Sequence, residues 1–463
     1  MNKPKPVTIV GGGWAGLTTA VELVRYDIPV ILLESAKQLG GRARRVPFEN
    51  NIKNTNNPPD TGNDNNDKIS VDNGQHLLLG AYDSTLSMLR TVSISEETVL
   101  KREKLALNMR RSKGRNVKIK TNRLPAPLHL AWGLLFAAGL TVSDRLKALQ
   151  FCRALLKMDF SIPEDESCLE LFKRFQQTDT VIKTVWEPLC IAALNTPIET
   201  ASAMVYLRML REAFTHARSD SDLLFLRVDL GEAFPDHAVN YIEKYGGNVR
   251  LGQRVIDLVI DNKKIKGLKL QEGEIESEYV VLATPQFATR KLLAPHATLS
   301  DLTQQITKFD TQPIVTVYLQ YPENIKLDTN MVGLVDTTAQ WIFDRRLYGQ
   351  PGLMAVVISS DGPHMELDNN ELCAKVEDEI AGFFPAWPKA EHRMVIREKR
   401  ATFDCVTGCN SYRPTNKTAV RGLWLAGDYT DTGLPATLES AVRSGKRCAQ
   451  SIIKTIHQSG EIS

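Results

Sequence analysis

Gly11, Gly13 and Gly16 stand in G-x-G-x-x-G spacing, and an acid, Glu34, follows about 20 residues on. Residues of these types at this spacing bind the pyrophosphate and ribose of a dinucleotide. Gly11 suits the tight turn, Gly13 lets a pyrophosphate approach the backbone, and Gly16 lets a helix pack closely on the sheet. Trp14 and Ala15 lie between the last two glycines and share the phosphate-facing turn. Glu34 suits a ribose hydroxyl.

Such a site needs a strand, a helix and a second strand around it. Val7, Ile9 and Val10 form an apolar run that reads as a buried strand. A helix is expected over residues 17–26, its N-terminus offering unpaired N–H groups and a favourable dipole to the phosphates. A second strand is expected over 29–33, ending at Glu34. Residues 246–270 alternate like paired strands with a turn near Asn262, and residues 279–284 read as another strand. An apolar strand also runs into Gly427 and Asp428. Gly433 and Pro435 then make a turn, and residues 436–444 look like a helix.

Beyond Glu34 the chain reads GGRAR. Gly40, Gly41, Arg42 and Ala43 resemble the second signature of FAD-containing amine oxidases and carotenoid-type desaturases. The resemblance implies a loop passing close to the FAD diphosphate, with Arg42 adding charge-assisted hydrogen bonds. It also implies that Asp428, beside Gly427, bonds the ribityl chain. Pro435, Ala436 and Thr437 would then open a helix onto the flavin pyrimidine, where negative charge collects on reduction. Val255 would meet the adenine through its backbone. Two terminal segments sharing one cofactor favour FAD over NAD, because extended FAD is held along its whole length.

The chain has 463 residues, enough for two interleaved domains with real cores. The expected class is α/β: a Rossmann-type FAD-binding domain (1–90, 240–294 and 395–463) with an interleaved α+β substrate domain (91–239 and 295–394). A net charge of only +3 excludes a global nucleic-acid signature. The seven cysteines are scattered and carry no zinc spacing, so reduced thiols in a cytoplasmic setting are expected. The first strand follows after six residues, which fits no signal peptide. Residues 50–67 are Asn-rich and read as a long solvated loop without chemistry.

Residues 101–123 hold ten Lys or Arg and one acid, and residues 124–143 hold no formal charge. Twenty such residues approach membrane-spanning length, but Pro125, Pro127, His129, Gly133 and Gly139 argue against a clean span. Two readings remain open: a buried core helix, or a monotopic patch dipping into lipid while the basic run meets anionic headgroups. The second would place the protein on the inner face of the cytoplasmic membrane.

Five blocks resemble one narrower group: residues 71–82, 124–135, 186–214, 226–238 and 426–445. They are similar to the squalene-associated FAD-dependent desaturase family, the hydroxysqualene dehydroxylases. The resemblance covers nearly the whole chain and implies hydride transfer from FADH2 to hydroxysqualene, giving squalene for hopanoid-type biosynthesis. Squalene-pathway enzymes and an unidentified electron donor would be partners. The allylic hydroxyl would be protonated and lost as water, which demands a proton donor and a dry apolar tunnel.

The resemblance places the segment VDNGQH beside the flavin. His76 is the first donor candidate, because an imidazole titrates near neutral pH; a structural His bonding the backbone or the flavin edge is the competing reading. Gln75 would bond the flavin or the substrate hydroxyl. Asp72 suits a backbone bond at the loop turn, and Asp229 and Glu232 are weaker donors. Trp186, Leu189, Leu194, Met204 and Leu207 are tunnel candidates, with core packing the competing role. A polyene desaturase shares every cofactor motif. An amine oxidase would bring an aromatic cage, and a non-catalytic flavin-bound partner of a prenyl-transferring complex would turn over no lipid. Fold alone does not choose among them.

Overall fold

A computed structural model describes residues 5–48 and 69–458. Its first sheet is five-stranded and parallel, in the order Asn248–Arg250, Val30–Leu33, Val7–Val10, Tyr279–Leu282, Leu423–Leu425. Val7 lies opposite both Val30 and Tyr279. These strands are near-continuous apolar runs because both faces are covered, one by helices and the other by the antiparallel strands Val255–Asp261 and Lys264–Leu270. Helix Trp14–Val24 packs against Leu438–Gln458 and Pro235–Lys244. Three distant pieces of chain therefore build one sheet, and the fold is α/β.

The expected paired strands form as Val255–Asp261 and Lys264–Leu270. Asn262 and Lys263 both take positive φ (48° and 57°) between them, the backbone of a type I′ turn. Asn248–Arg250 departs from expectation: it joins the parallel sheet beside Val30–Leu33 instead of this antiparallel pair. The first helix begins at Trp14, three residues early, because the glycine turn leads straight into it.

The second large sheet has seven strands and is mostly antiparallel. Its order is His392–Phe403, Thr311–Gln320, Leu353–Ser359, Trp341–Asp344, Met331–Val335, Ala106–Arg111, Val117–Lys120. Side chains alternate across it. Val315, Val317, Ile342, Val356 and Ile358 share a core with Leu372, Val376 and Ile380 of helix Asn369–Phe383. Ile314, Met331, Trp341, Phe343 and Val357 instead line a cavity. A one-residue slip would exchange the two sets.

Short pairings bring the VDNGQH segment to that cavity. Ser70–Asp72 pairs with Arg45–Pro47, and Leu77–Leu79 pairs with Leu223–Leu226. The Asn-rich stretch 50–67 lies outside the described residues.

Residues 124–143 follow neither reading as a single helix. Leu128–Leu135 forms a short helix, and Val142–Lys157 a second one. His129, Gly133 and Leu134 face inward. Leu124, Leu128, Trp132, Leu135, Phe136, Val142 and Leu146 are exposed. A buried core helix would not leave this face open. Among the described residues no helix is long and apolar enough to cross a membrane.

Candidate active site

The glycine turn is built for close approach. Gly11 sits at φ +113°, and a Cβ there would stand 2.7 Å from the Ala283 carbonyl oxygen. A Cβ on Gly16 would stand 2.0 Å from the Gly11 oxygen, so only glycine lets the helix meet the strand. Gly13 differs: a Cβ there would have nothing nearer than the Gly41 Cα at 3.9 Å. Its outer side faces open space beside the GGRAR loop, which meets it through a Gly13–Gly40 bridge.

Among the described residues helix Trp14–Val24 has no side-chain cap, and it has no acid in its first turn, although Trp14, Ala15 and Gly16 are buried. A buried helix start without a side-chain cap suits an outside acceptor, and a diphosphate is an anion such a terminus takes. The cradle thus fits the expected dinucleotide. Glu34 fits as well. Its Oε2 accepts from the Gly12 N–H (2.7 Å), and its Oε1 accepts from the Ala36 N–H (2.7 Å) and the Ser35 hydroxyl (3.1 Å). Of about four acceptor positions on a carboxylate, one on Oε2 stays open for a ribose hydroxyl. Val255 lies close by, since Gln253 N–H donates to the Glu34 carbonyl at 2.8 Å.

Arg42 reaches across to the C-terminal motif. Its Nη2 donates to Asp428 Oδ1 at 2.6 Å and its Nη1 to the Ala401 carbonyl at 2.9 Å. Burial works against the Arg42 charge, but Asp428 and Glu398 outweigh it and raise the pKa. Gly427 N–H donates to the Ser444 hydroxyl at 3.0 Å. The helix expected from Ala436 begins at Leu438, because the Thr437 hydroxyl accepts from the Ser440 N–H at 3.1 Å and caps it. The segment Pro435–Thr437 therefore precedes the helix, and Pro435 and Thr437 form part of the cavity wall.

The cavity runs from there over the open face of the seven-stranded sheet. Leu77, Leu105, Leu107, Leu189, Met209 and Phe343 give it apolar walls. Gln75, Tyr82, Glu212 and Glu439 are the larger polar exceptions, beside the hydroxyls of Ser221, Ser359 and Thr437. Both carboxylates are already engaged. Glu439 accepts from Ser84 N–H, Thr85 N–H and the Thr85 hydroxyl, and Arg443 bridges it to Glu212 at 2.9–3.1 Å. Burial raises the Glu212 pKa, but hydrogen bonds from Arg443 and Arg208 prevail and lower it. It stays an anion and is no proton donor.

Of the VDNGQH side chains, only Gln75 lines the cavity. His76 is half-buried and its Nδ1 bonds the Gly74 carbonyl at 2.7 Å. Burial lowers its pKa from the usual 6.5, so the imidazole is neutral at pH 7. An unfolded His76 takes up a proton below about pH 6.5 and the folded one resists it, so stability falls as pH drops through that value. His76→Gln should therefore lose stability less than the parent between pH 7.5 and 5.5, measured by urea midpoint. Equal losses would refute this.

Asp72 serves the fold instead of the loop turn: its Oδ1 accepts from the distant Leu230 N–H at 2.8 Å, and its Oδ2 pairs with Arg345 at 3.1 Å. Asp229 caps helix Leu230–Ala233 and pairs with Arg45, while Glu232 is exposed; neither lines the cavity. Among the tunnel candidates only Leu189 does. Trp186 instead packs with Phe151 and Phe172 and donates to Gln177 at 2.8 Å. Sequence reasoning missed Tyr82, Glu212, Glu439, Arg345 and Tyr348. Glu439 alone carried a signal, as an acid in the first turn of a recognised helix.

The chain is similar in sequence and in fold to known proteins. A hydroxysqualene dehydroxylase of Zymomonas mobilis is 25% identical over 95% of this chain and 97% of its own. A 15-cis-phytoene desaturase of an Oncidium hybrid is also 25% identical, over 98% of this chain and 78% of its own. Among solved structures, an oxidoreductase of Methanosarcina mazei superposes with a TM-score of 0.73 at 14% identity, over 97% of this chain and 100% of that one. A putrescine oxidase does so at 0.68 and 14%, over 97% and 99%. The family described as flavin containing amine oxidoreductase matches residues 14–453, so the chain belongs to it, as an FAD-dependent oxidoreductase.

Proposed function

We propose that the protein reduces hydroxysqualene to squalene. One observation carries the reading: a cavity with mainly apolar walls, whose two carboxylates are already paired with Arg443, also holds a clamped amide, Gln75. A long hydrocarbon with a hydroxyl suits apolar walls with an amide among them. The full-length similarity to hydroxysqualene dehydroxylases supports it. The reaction is R–OH + H⁺ + H⁻ → R–H + H2O. FAD, bound and reduced, supplies the hydride; a reduced nicotinamide or a reductase must replenish its electrons. The protein holds the alcohol with its C–O bond toward the cofactor. The leucine and methionine walls exclude water, which would otherwise capture an allylic cation.

Oxidative desaturation of a polyene is the second reading, supported by similarity to the phytoene desaturases. An anaerobic experiment separates the two. Chemically reduced holoenzyme mixed with hydroxysqualene should form squalene in step with flavin reoxidation. A well-loaded enzyme that forms none, yet desaturates a polyene when oxidised, would reverse the assignment.

A lipid surface is the proposed setting. Exposed Leu128, Trp132, Leu135 and Phe136 form one apolar face. Exposed Lys118 and Lys120 border it, since Lys118 bridges to Ala138. The face lies one layer from the cavity: His129 Nε2 bonds the Ser221 hydroxyl at 2.8 Å, and Ser221 lines the wall. Two aromatic side chains leaving water contribute about 1.5–3 kcal/mol each at full burial. Trp132→Ser/Phe136→Ser should therefore weaken binding to phosphatidylglycerol vesicles by about tenfold or more in co-sedimentation. Unchanged binding would rule out this face.

A further inference from the structure

Behind Gln75 lies a charge that the site described so far does not use. Arg345 is wholly buried. Its Nη1 donates to Gln75 Oε1 at 2.8 Å and to Asp72 Oδ2 at 3.1 Å, and its Nε donates to Gln350 Oε1 at 2.6 Å. The Tyr348 ring stacks on it, 3.8 Å from the guanidinium carbon. Its Nη2 has no hydrogen-bond partner among the described residues. Burying a guanidinium is costly and adds little stability over a packed apolar group, so fold stability alone is a poor reason for this one.

The hydrogen bonds on Gln75 say what the charge does. A guanidinium only donates, so the amide oxygen must face Arg345; a flipped amide would set N–H against N–H. The amide nitrogen then donates to the Tyr348 hydroxyl at 2.8 Å and toward the His76 carbonyl at 3.4 Å. Both N–H groups and one oxygen lone pair are taken. One lone pair remains, on a side chain that lines the cavity. A lone pair accepts a hydrogen, and an alcohol offers one.

We propose that Arg345 is a positioning residue for the reaction proposed above. It locks the Gln75 amide so that the free oxygen lone pair accepts the hydroxyl hydrogen of the allylic alcohol. The inference rests on that reading of function. The bound hydroxyl keeps its own lone pairs for the incoming proton. The product has no hydroxyl and loses this contact, so the site holds substrate more tightly than product. Arg345 gains its effect only through Gln75.

The test uses oxidised holoenzyme, which binds without turnover. Hydroxysqualene and squalene are titrated separately in detergent, following flavin absorbance, for the parent, Gln75→Leu, Arg345→Lys and the double variant. Gln75→Leu keeps the Asp72–Arg345 pair and should fold. It should weaken the alcohol about 10- to 100-fold, the worth of one hydrogen bond at a buried site, and leave squalene unchanged. Lysine keeps the charge but not the planar fork, so Arg345→Lys should show the same selective loss. The double variant should be no weaker than Gln75→Leu alone.

Arg345→Lys with parental affinity for the alcohol would overturn the proposal. So would equal weakening of both ligands, or losses that add in the double variant. In each of these cases a parent that still makes squalene keeps the functional reading intact. A parent that binds the alcohol no better than squalene, and forms no squalene when reduced, overturns both together.

Discussion

Gly16→Val is expected to yield a protein that purifies without flavin. The added Cβ alone would stand 2.0 Å from the Gly11 oxygen, with the Ala283 Cβ at 3.1 Å on another side. Neither the strand backbone nor Ala283 can swing away as a flexible side chain does. The helix must therefore shift, and its uncapped N–H groups leave the diphosphate. Charge-assisted hydrogen bonds contribute about 1.5–3 kcal/mol each. Losing two weakens FAD by about 10²- to 10⁴-fold. The flavin-to-protein absorbance ratio after purification measures this, with circular dichroism to show that the chain has folded. A yellow variant with the parental ratio would mean that the turn tolerates a side chain.

Arg345→Met should cost about 3–5 kcal/mol of stability, because it leaves the Asp72 carboxylate buried without its cation. Burial already pushes the Asp72 pKa up, and Arg345 is the largest influence holding it down. Among the described residues only the Leu230 N–H would still donate to that carboxylate. Asp72→Asn in the same chain removes the stranded charge and should recover most of the loss. Urea midpoints of the parent, the single variant and the double variant give the answer. A single variant as stable as the parent, or a double variant no better than the single, would show that the pair is not the source of the cost.

These two sites differ in how far they could be read from sequence. The glycine turn is local. Gly11, Gly13, Gly16 and Glu34 occupy one strand–helix–strand unit, and backbone sterics dictate the residue types. The turn at Asn262 is legible for the same reason. Arg345 meets Asp72 across more than 270 residues, and nothing in its own neighbourhood announces a buried charge. Glu212 and Glu439 become a bridged pair only when two helices pack. Gln75 and His76 are neighbours, and which one faces the cavity depends on how the segment enters the Leu77–Leu79 strand. Composition marked residues 124–143 as uncharged, but it could not show that their apolar side chains divide between core and surface.

The parallel sheet also sets a schedule for the ribosome. Its first two strands end at Leu33, and its last, Leu423–Leu425, is about 390 residues further along. At about 5–20 residues per second, the early strands wait about 20–80 s for their edge partner and for the Arg42–Asp428 bridge. Until then a nascent chain carries the glycine turn without the C-terminal segment that completes the sheet. Stable cofactor capture is consequently expected late in synthesis. A chain stopped short of residue 423 would leave an open apolar sheet edge, a substrate for chaperones and proteases.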